Sequence, residues 1–539
     1  MKFLLAFVLM LAIPSWADAA CSPTTGVTST CAAGTTLAQI TTALSTLSDG
    51  AVLTFDAGAY TWSGNIDTQD MSKGFTLICV SVGACDVTLS GNPTFWYIDY
   101  TGIVDKLFRL SGFTFGGTAC GGNGCIDMRR ISAGGNGDDN QLSQVRIDHN
   151  AINIPMTVPF LFMGAGDRRG EVDALFDHNT ITSVNAGIVV HMVAGHSITA
   201  QGSPEAWGTS SRGTSHAVYI EDNVFTFDDE TAALSACSDM HQGGKTVFRF
   251  NTVLNCRPQT HGMAHGGVEL WEVYGNDIRT TVATGNVVTC YGCIQTQGVG
   301  ELYVFDNQIR GLTSVDNSVA ITTQNYRSGS GQPGPLGLCD GTVTGDGNTA
   351  PEATYRGYPC VGQPGRMEAD GTPLYGKLAP NAAWGNYNGH TSATIDLNIR
   401  GNGTPDYWDE HLVANRDYYN VTASFDGTSG IGVGTLASRP ATCTHTTSPD
   451  GDDGGGVMYW ATDQGSWNTS SSNPYGEQRN GVDGVLYRCS ATNTWVTHYT
   501  PYTYPHPLQG GVADPGTRRF APSINLRRAD NSHTVLVSQ

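Results

Sequence analysis

Val145-Arg-Ile-Asp-His-Asn150 is the first of six related stretches that end in asparagine, and these stretches decide the fold. The other five are Ala174-Leu-Phe-Asp-His-Asn179, Val218-Tyr-Ile-Glu-Asp-Asn223, Thr246-Val-Phe-Arg-Phe-Asn251, Trp271-Glu-Val-Tyr-Gly-Asn276 and Leu302-Tyr-Val-Phe-Asp-Asn307. Successive asparagines are 29, 44, 28, 25 and 31 residues apart. Repeats of this length are typical of solenoids, whereas a β-propeller needs about 40–50 residues and four strands for each blade.

Apolar residues flank each asparagine at fixed distances. One lies three positions before it and another two positions after it, as Ile147 and Ile152 do around Asn150. Each unit is therefore predicted to be a short strand, a turn and a second short strand. In stacked coils, whose strands are about 4.8 Å apart, the asparagines can occupy the same corner, and their amides can form hydrogen bonds from one coil to the next. We assign them to the scaffold and predict a parallel β-helix over residues 51–330.

The first residues have the order of a cleavable secretory signal, predicted at residues 1–20. Lys2 precedes the apolar run Phe3–Ile13, and small residues follow at Ala17–Ala20. We therefore expect a secreted protein, extracellular or periplasmic. Cys21 raises a lipoprotein alternative, which Asp18 disfavours because it fits a lipid-attachment box poorly. The apolar run is too short to span a bilayer, and no later stretch is long and apolar enough.

Two regions flank the predicted coils. Residues 21–50 are predicted to form an N-terminal cap, in which Leu37, Ile40 and Leu44 share one face of a helix over residues 36–48. Thr35 or Thr36 is its expected N-cap, and the helix would cover the open end of the coil. Residues 331–539 are rich in glycine and aromatic residues. They predict either the last coils with an irregular cap or a small β domain.

All fourteen cysteines follow the signal. Their number and spacing favour short-range disulfides in an oxidising compartment. The neighbouring pairs are Cys21/Cys31, Cys79/Cys85, Cys120/Cys125, Cys237/Cys256, Cys290/Cys293, Cys339/Cys360 and Cys443/Cys489.

The formal net charge is −20, with only five lysines in the chain. An acidic surface argues against nucleic acid or an anionic membrane as a partner. It also disfavours long-range attraction of a polyanion unless calcium or a local basic patch intervenes. We expect a monomer.

The tandem strand–Asn–strand units, the capping helix and the signal together resemble the right-handed parallel β-helix (pectate-lyase-like) superfamily. The resemblance covers residues 35–330 approximately and implies an all-β, right-handed solenoid with an N-terminal capping helix. The superfamily includes lyases, hydrolases, epimerases and non-catalytic adhesins, so the resemblance does not by itself select an activity.

Side chains alternate between the two faces of a strand, so residues two and four before each asparagine are expected to point outward. The first outward column is Asp148, Asp177, Glu221, Arg249, Tyr274 and Phe305, and the second is Arg146, Leu175, Tyr219, Val247, Glu272 and Tyr303. Stacked carboxylates repel one another unless a cation lies among them. This pattern predicts a sugar-binding strip with carboxylates for calcium and rings for stacking. An extra coil within residues 186–193 would separate Glu221 from Asp177.

In the calcium-dependent lyases of the superfamily, calcium bridges acidic side chains to a uronate carboxylate, and an Arg or Lys removes the neighbouring proton. Carried over, the resemblance implies Asp148, Asp177 and Glu221 as ligands of Ca²⁺, with Arg249 or Lys245 as the base. The side chains expected to bind the substrate are Tyr219, His265, Glu272, Tyr274 and Phe305.

A second concentration of reactive side chains begins at Asp239-Met-His241 and continues through Lys245 and Arg249 to His261. It offers a general base and a neutralising cation, so we take Lys245, Arg249, His241 and His261 as catalytic candidates. The alternative is that these are solvated loop residues beside Cys237 and Cys256.

The function that we expect is a lyase that cleaves an acidic polysaccharide by β-elimination. A non-catalytic carbohydrate-binding or surface-adhesion β-helix is the first alternative. A glycoside hydrolase is the second, disfavoured because the paired aspartates expected beside His261-Gly262 are not found.

Overall fold

The protein is described from a computed structural model. It describes residues 20–68, 73–99, 103–129, 141–163, 171–183, 187–193, 211–227, 236–241, 244–260, 268–280, 293–297, 299–311, 316–323, 366–368, 375–377, 379–399, 412–446, 455–470, 483–510, 524–525 and 536–537.

Three long sheets run side by side along the molecule, and each coil contributes one strand to each sheet, so the chain is an all-β parallel β-helix. Within the described residues the first sheet has thirteen strands, parallel after an antiparallel first pair. They are Cys21–Ser22, Thr28–Cys31, Ala51–Phe55, Phe75–Cys79, Ile103–Ser111, Gln141–Asp148, Glu171–Asp177, Val218–Glu221, Lys245–Arg249, Val268–Tyr274, Val299–Phe305, Asn381–Trp384 and Tyr418–Asn420.

The second and third sheets each have ten strands in the described part of the chain. Those of the second are Gly58–Trp62, Cys85–Leu89, Phe113–Gly117, Ala151–Asn153, Thr180–Ser183, Val224–Phe227, Thr252–Leu254, Asp277–Arg279, Gln308–Arg310 and Tyr387–Asn388. Those of the third are Ile66–Thr68, Trp96–Asp99, Ile126–Arg129, Leu161–Met163, Ile188–Val193, Ala236–His241, Arg257–Thr260, Ile294–Gln295, Ile321–Thr323 and Asn398–Ile399.

The core runs through the middle of the three sheets. The apolar residues that flank the asparagines, such as Ile147, Phe176 and Ile220, are buried there, as predicted. Residues at alternate positions, such as Tyr219 and Tyr274, belong to a separate apolar cluster on the outer side of the first sheet. The predicted alternation of faces is therefore confirmed.

The predicted asparagine ladder is present. Each side-chain amide donates to the Oδ1 of the asparagine on the next coil, as from Asn223 to Asn251 at 3.0 Å. The ladder runs from Asn150 to Asn307 and gains a seventh member at Asn386. The residue before each asparagine has a positive φ, which glycine adopts without strain at Gly275 and Gly385. At the other turns a residue with a side chain adopts the positive φ, because the hydrogen bonds of the asparagine ladder hold the backbone in that conformation.

The coil that contains Glu171–Asp177 shows how the 44-residue spacing between Asn179 and Asn223 is accommodated. Asp177 pairs in register with Glu221, and Ile188–Val193 is the third-sheet strand of the same coil. The 44-residue spacing therefore reflects a longer connection after that strand, and the predicted column of outward residues is continuous.

The capping helix spans Leu37–Thr46. Thr36 is its N-cap and forms a capping box with Gln39, while Leu37, Ile40 and Leu44 are buried. The described part of the chain holds no helix that is long and apolar enough to cross a membrane.

Five of the predicted disulfides are formed: Cys21–Cys31, Cys79–Cys85, Cys120–Cys125, Cys237–Cys256 and Cys443–Cys489. The predicted pairs Cys290/Cys293 and Cys339/Cys360 include residues outside those described.

The described part of the C-terminal region contributes both to the coils and to a sheet of its own. It adds strands to the three sheets up to Tyr418–Asn420, and then forms a separate sheet of Ile431–Gly434, Met458–Ala461, Val485–Ala491 and Thr494–Tyr499. Two short strand pairs, Arg366–Glu368 with Tyr375–Lys377 and Ile524–Asn525 with Leu536–Val537, are also described. Short 3₁₀ turns occur at Leu436–Ser438 and Pro507–Gly510.

Candidate functional site

The outward side chains of the first sheet form what we call the covered strip, which runs from Arg109 to Trp384. Its members occupy successive rungs, as predicted. They are nevertheless buried, because residues 498–510, the cover segment, and the separate C-terminal sheet lie over them. The burial of this face was not foreseen from the sequence.

The first two carboxylates of the strip are paired with arginines. Arg109 donates to both oxygens of Asp148, at 2.7 and 2.6 Å, and Arg146 donates to both oxygens of Asp177, at 3.0 and 2.9 Å. Burial by itself would raise the pKa of Asp148, but the Arg109 guanidinium and neighbouring groups hold it below its usual value. The pKa of Asp177 is likewise lowered, chiefly by Arg146 against the effect of burial.

Glu221 is the third predicted calcium ligand. Its Oε2 accepts from Arg249 Nε at 2.6 Å, and its Oε1 accepts from the backbone N–H of His506 at 2.9 Å. Guanidinium groups thus occupy the positions beside all three carboxylates, and a calcium ion would meet their positive charge. The contacts of Asp148, Asp177 and Glu221 with arginines therefore do not fit the expected Ca²⁺ site.

Arg249, a predicted catalytic residue, is fully buried and joins the strip to the cover segment. It donates to the backbone carbonyls of Tyr502 and Thr503, at 2.7 and 3.0 Å, and to the hydroxyl of Tyr274 at 2.9 Å. With four hydrogen bonds from its guanidinium to protein groups, two of them to the cover segment, its role is to hold the cover segment on the strip.

The side chains expected to stack on sugars stack on protein instead. Tyr274 lies parallel to Phe305 with ring centroids 4.4 Å apart, and Phe305 is parallel to Trp384 at 4.5 Å. Tyr219 and Glu272 are also buried. In this structure the predicted sugar-binding strip is therefore an internal packing layer, because the cover segment removes it from solvent.

Glu272 differs from the other carboxylates of the strip in the hydrogen bonds that its oxygens receive. Its carboxylate accepts from the hydroxyl of Tyr499 and from the backbone N–H of Gly213. Burial raises the pKa of Glu272 to about 7, against the lowering effect of those bonds.

A different set of side chains meets on the outer side of the third sheet. His191 and Asp239 are directly opposite each other on neighbouring strands, and His241 lies two residues after Asp239, on the same face. One ligand atom from each residue lies within 4.8 Å of the others. The His241 Nε2 atom is 3.4 Å from Asp239 Oδ2, and the two imidazole centroids are 4.9 Å apart.

The chain turns from the third sheet to the first immediately after His241. The Gly244 N–H donates to the His241 carbonyl at 3.0 Å, and Lys245 begins the next strand. Lys245 Nζ is 3.9 Å from Glu269 Oε1. We call His191, Asp239, His241, Lys245 and Glu269 the corner cluster.

Two features fix the corner cluster in place. The disulfide Cys237–Cys256 ties the strand that carries Asp239 and His241 to the start of the next third-sheet strand. Phe162 packs edge-on against the His191 ring, with centroids 5.5 Å apart. Reactive groups on braced strands keep their mutual geometry better than groups on loops.

The corner cluster is partly accessible. The side chains of Lys245 and His241 are 11% and 14% exposed, whereas that of Arg249, four residues along the same strand as Lys245, is 0% exposed. Asp239 and Glu269 are buried beneath them. The arrangement combines proton-transfer groups with a set of imidazole and carboxylate donors that can bind a cation.

The structure thus brings together two of the four catalytic candidates, His241 and Lys245, and places Arg249 in the covered strip. His261 and the predicted substrate-binding residue His265 lie outside the described residues. His191 was missed. The sequence did hold a sign of its position. Val190-His191-Met192 has the same order, with a polar residue before a buried-type methionine, as Ser238-Asp239-Met240 on the next coil.

No family model, no curated protein and no solved structure matches this chain.

Proposed function

We propose that this protein is a secreted lyase that cleaves an acidic polysaccharide by β-elimination, with the corner cluster as its catalytic centre. The observation that carries the proposal is that Lys245, which pairs with Glu269, begins the strand directly after the turn at His241, and His241 shares one face with His191 and Asp239. The five described disulfides and the signal-like N-terminus support an oxidising location outside the cytoplasm. The resemblance to the pectate-lyase-like superfamily supports a polysaccharide as the substrate.

β-Elimination requires a group that transfers protons and a cationic group beside the uronate carboxylate. A base removes the proton from the carbon next to the uronate carboxylate, a double bond forms, and the bond to the glycosidic oxygen breaks. The departing oxygen then takes up a proton. A cationic group beside the uronate carboxylate makes the carbon-bound proton more acidic, because it stabilises the negative charge that develops there.

We assign proton transfer to Lys245. Its amine can accept the proton from carbon when neutral and return it to the departing oxygen. Glu269, 3.9 Å away, is close enough to assist the exchange of that proton. We assign contact with the uronate carboxylate to the face formed by His191, Asp239 and His241, because its imidazoles can carry positive charge or hold a cation.

The test is the ultraviolet absorbance of unsaturated uronate products, measured with the mature protein on a panel of polyuronates and glycosaminoglycans. We expect wild-type turnover, and a loss of kcat/KM of at least about 100-fold in Lys245→Met, since general acid–base groups contribute about 10²–10⁴-fold. Lys106→Met is the matched control, because Lys106 also pairs with a carboxylate, Asp49, but at a distant exposed position.

Two outcomes would overturn the proposal. If no substrate gives unsaturated products while the wild-type protein still binds a glycan, the protein is a carbohydrate-binding or adhesion β-helix. If reducing ends appear without the absorbance, it is a hydrolase. We expect a monomer in these assays, which light scattering checks.

A further inference from the structure

We infer that His191, Asp239 and His241 form a binding site for a first-row divalent transition-metal ion such as Zn²⁺. Two imidazoles and one carboxylate are donors that suit zinc, manganese, iron, cobalt or nickel. Calcium instead prefers six to eight oxygen ligands, so this site differs in chemistry from the expected calcium site of the covered strip.

The backbone places the three donors. His191 and Asp239 are cross-strand neighbours in a parallel ladder, so their separation is set by the sheet spacing. His241 is two residues beyond Asp239 and therefore on the same face. The ligand atoms lie within 4.8 Å of one another, a separation that a shared ion can bridge with small side-chain rotations.

The surroundings favour a cation. Asp239 is buried, and so is Glu269, which lies beside Lys245 near the start of the neighbouring first-sheet strand Val268–Tyr274. A divalent ion adds positive charge at short range beside a buried carboxylate, which favours the ionised form that ligates the ion. The disulfide Cys237–Cys256 holds the strand with two of the donors, which lowers the entropy lost when the ion binds.

Three protein donors leave further coordination positions for water or for a substrate oxygen, as in metal sites that take part in reactions. In the proposed lyase, the ion would neutralise the uronate carboxylate while Lys245 transfers the proton. That catalytic role rests on the proposed function, whereas metal binding itself does not.

The experiment is titration calorimetry of the chelator-treated mature protein with Zn²⁺, and separately with Mn²⁺ and Ca²⁺. Wild-type protein should bind one Zn²⁺ per chain and prefer it to Ca²⁺. His191→Ala and His241→Ala should weaken Zn²⁺ binding at least about 100-fold, since losing a group that merely orients a ligand already costs about 10–100-fold. His216→Ala, which removes an exposed histidine from another place on the fold, should bind as wild type does.

Asp239→Asn keeps the shape of the side chain and removes its charge, so it tests the site if an alanine variant does not fold. Cobalt substitution gives a second readout, because bound Co²⁺ shows visible absorption that should vanish in Asp239→Asn.

The inference is overturned if folded wild-type protein binds none of these transition ions at one per chain. Equal binding by wild type and all three cluster variants would overturn it as well, since the ions would then be on other groups. Metal binding without cleavage of any polysaccharide would contradict the proposed function alone. Cleavage that survives chelation, together with no metal binding, would contradict this inference alone.

Discussion

Lys245 and Arg249 are on one strand of the first sheet and point to the same side of it, yet they lie in opposite environments. Arg249 is buried among Glu221, Tyr274 and the carbonyls of the cover segment. Lys245, at the corner with the third sheet, remains partly exposed beside Glu269. The comparison shows that an outward position on a solenoid does not define a binding surface. The role of such a position depends on whether distant segments of the chain pack against it.

The largest effect is expected from Arg249→Met. The change leaves Glu221 buried without its cationic partner, and breaking a buried ion pair costs about 3–5 kcal/mol. The free energy of unfolding measured in urea should fall by that amount. Arg279→Met, which removes a partly exposed arginine paired with Asp277, should cost about 1 kcal/mol or less. Equal losses in the two variants would show that the strip is not buried in solution.

The next effect is a pH dependence that arises from Glu272. Its pKa is raised in the folded protein, so the folded state binds this proton more tightly than the unfolded state does. The stabilisation is therefore complete below about pH 4.5 and is lost as the pH rises through about 7, with a total of about 3 kcal/mol.

Glu272→Gln isolates this contribution. The difference in unfolding free energy between wild type and variant, measured from pH 4 to pH 8, should change steeply between pH 4.5 and 7. The pKa of His506 is lowered by burial to about 3, so that group acts in the opposite direction and its contribution cancels in the difference. A flat difference curve would mean that Glu272 is solvated.

A smaller effect is expected from Tyr504→Phe, which removes the hydroxyl that donates to Asp222 Oδ1 at 2.7 Å. A hydrogen bond to a charged group contributes about 1.5–3 kcal/mol, and the loss should appear as faster proteolysis within the cover segment. Tyr502→Phe is the matched control, because Tyr502 contacts Arg249 through its backbone carbonyl. Identical cleavage rates in both variants would contradict the role given to the Tyr504 hydroxyl.

The smallest effect on stability is expected from Lys245→Met, at the partly exposed end of the strand that also carries Arg249. The two atoms are 3.9 Å apart and Lys245 is 11% exposed, so the pair contributes less than the fully buried Arg249–Glu221 pair, whose atoms are 2.6 Å apart. The free energy of unfolding should therefore fall by less than in Arg249→Met, although the proposed activity should be lost. A loss of stability as large as that of Arg249→Met would assign Lys245 to the scaffold.

Much of the fold could be predicted from local patterns. The apolar residues around each asparagine predicted two strands and a turn, and the ladder from Asn150 to Asn307 follows from their repetition. The helix at Leu37–Thr46 was predicted from its apolar spacing and its cap. These features depend on residues that are close in sequence or that repeat at regular intervals, so they can be recognised in the sequence alone.

The candidate site was predicted only in part, because its residues are brought together by register and connection length. Asp239, His241 and Lys245 are near one another in sequence and were predicted as a group. His191 is 48 positions before Asp239, and its place on the neighbouring rung depends on how a long connection is accommodated. No local pattern specifies that alignment.

The sequence by itself determined the period of the coils, the inward and outward faces of their strands and the ladder of asparagines. The tertiary structure alone decided which outward face is closed. Glu221 receives its bond from His506, 285 positions further along the chain. Alternation in a strand defines only two faces, whereas burial of the outer face depends on distant residues that pack against it.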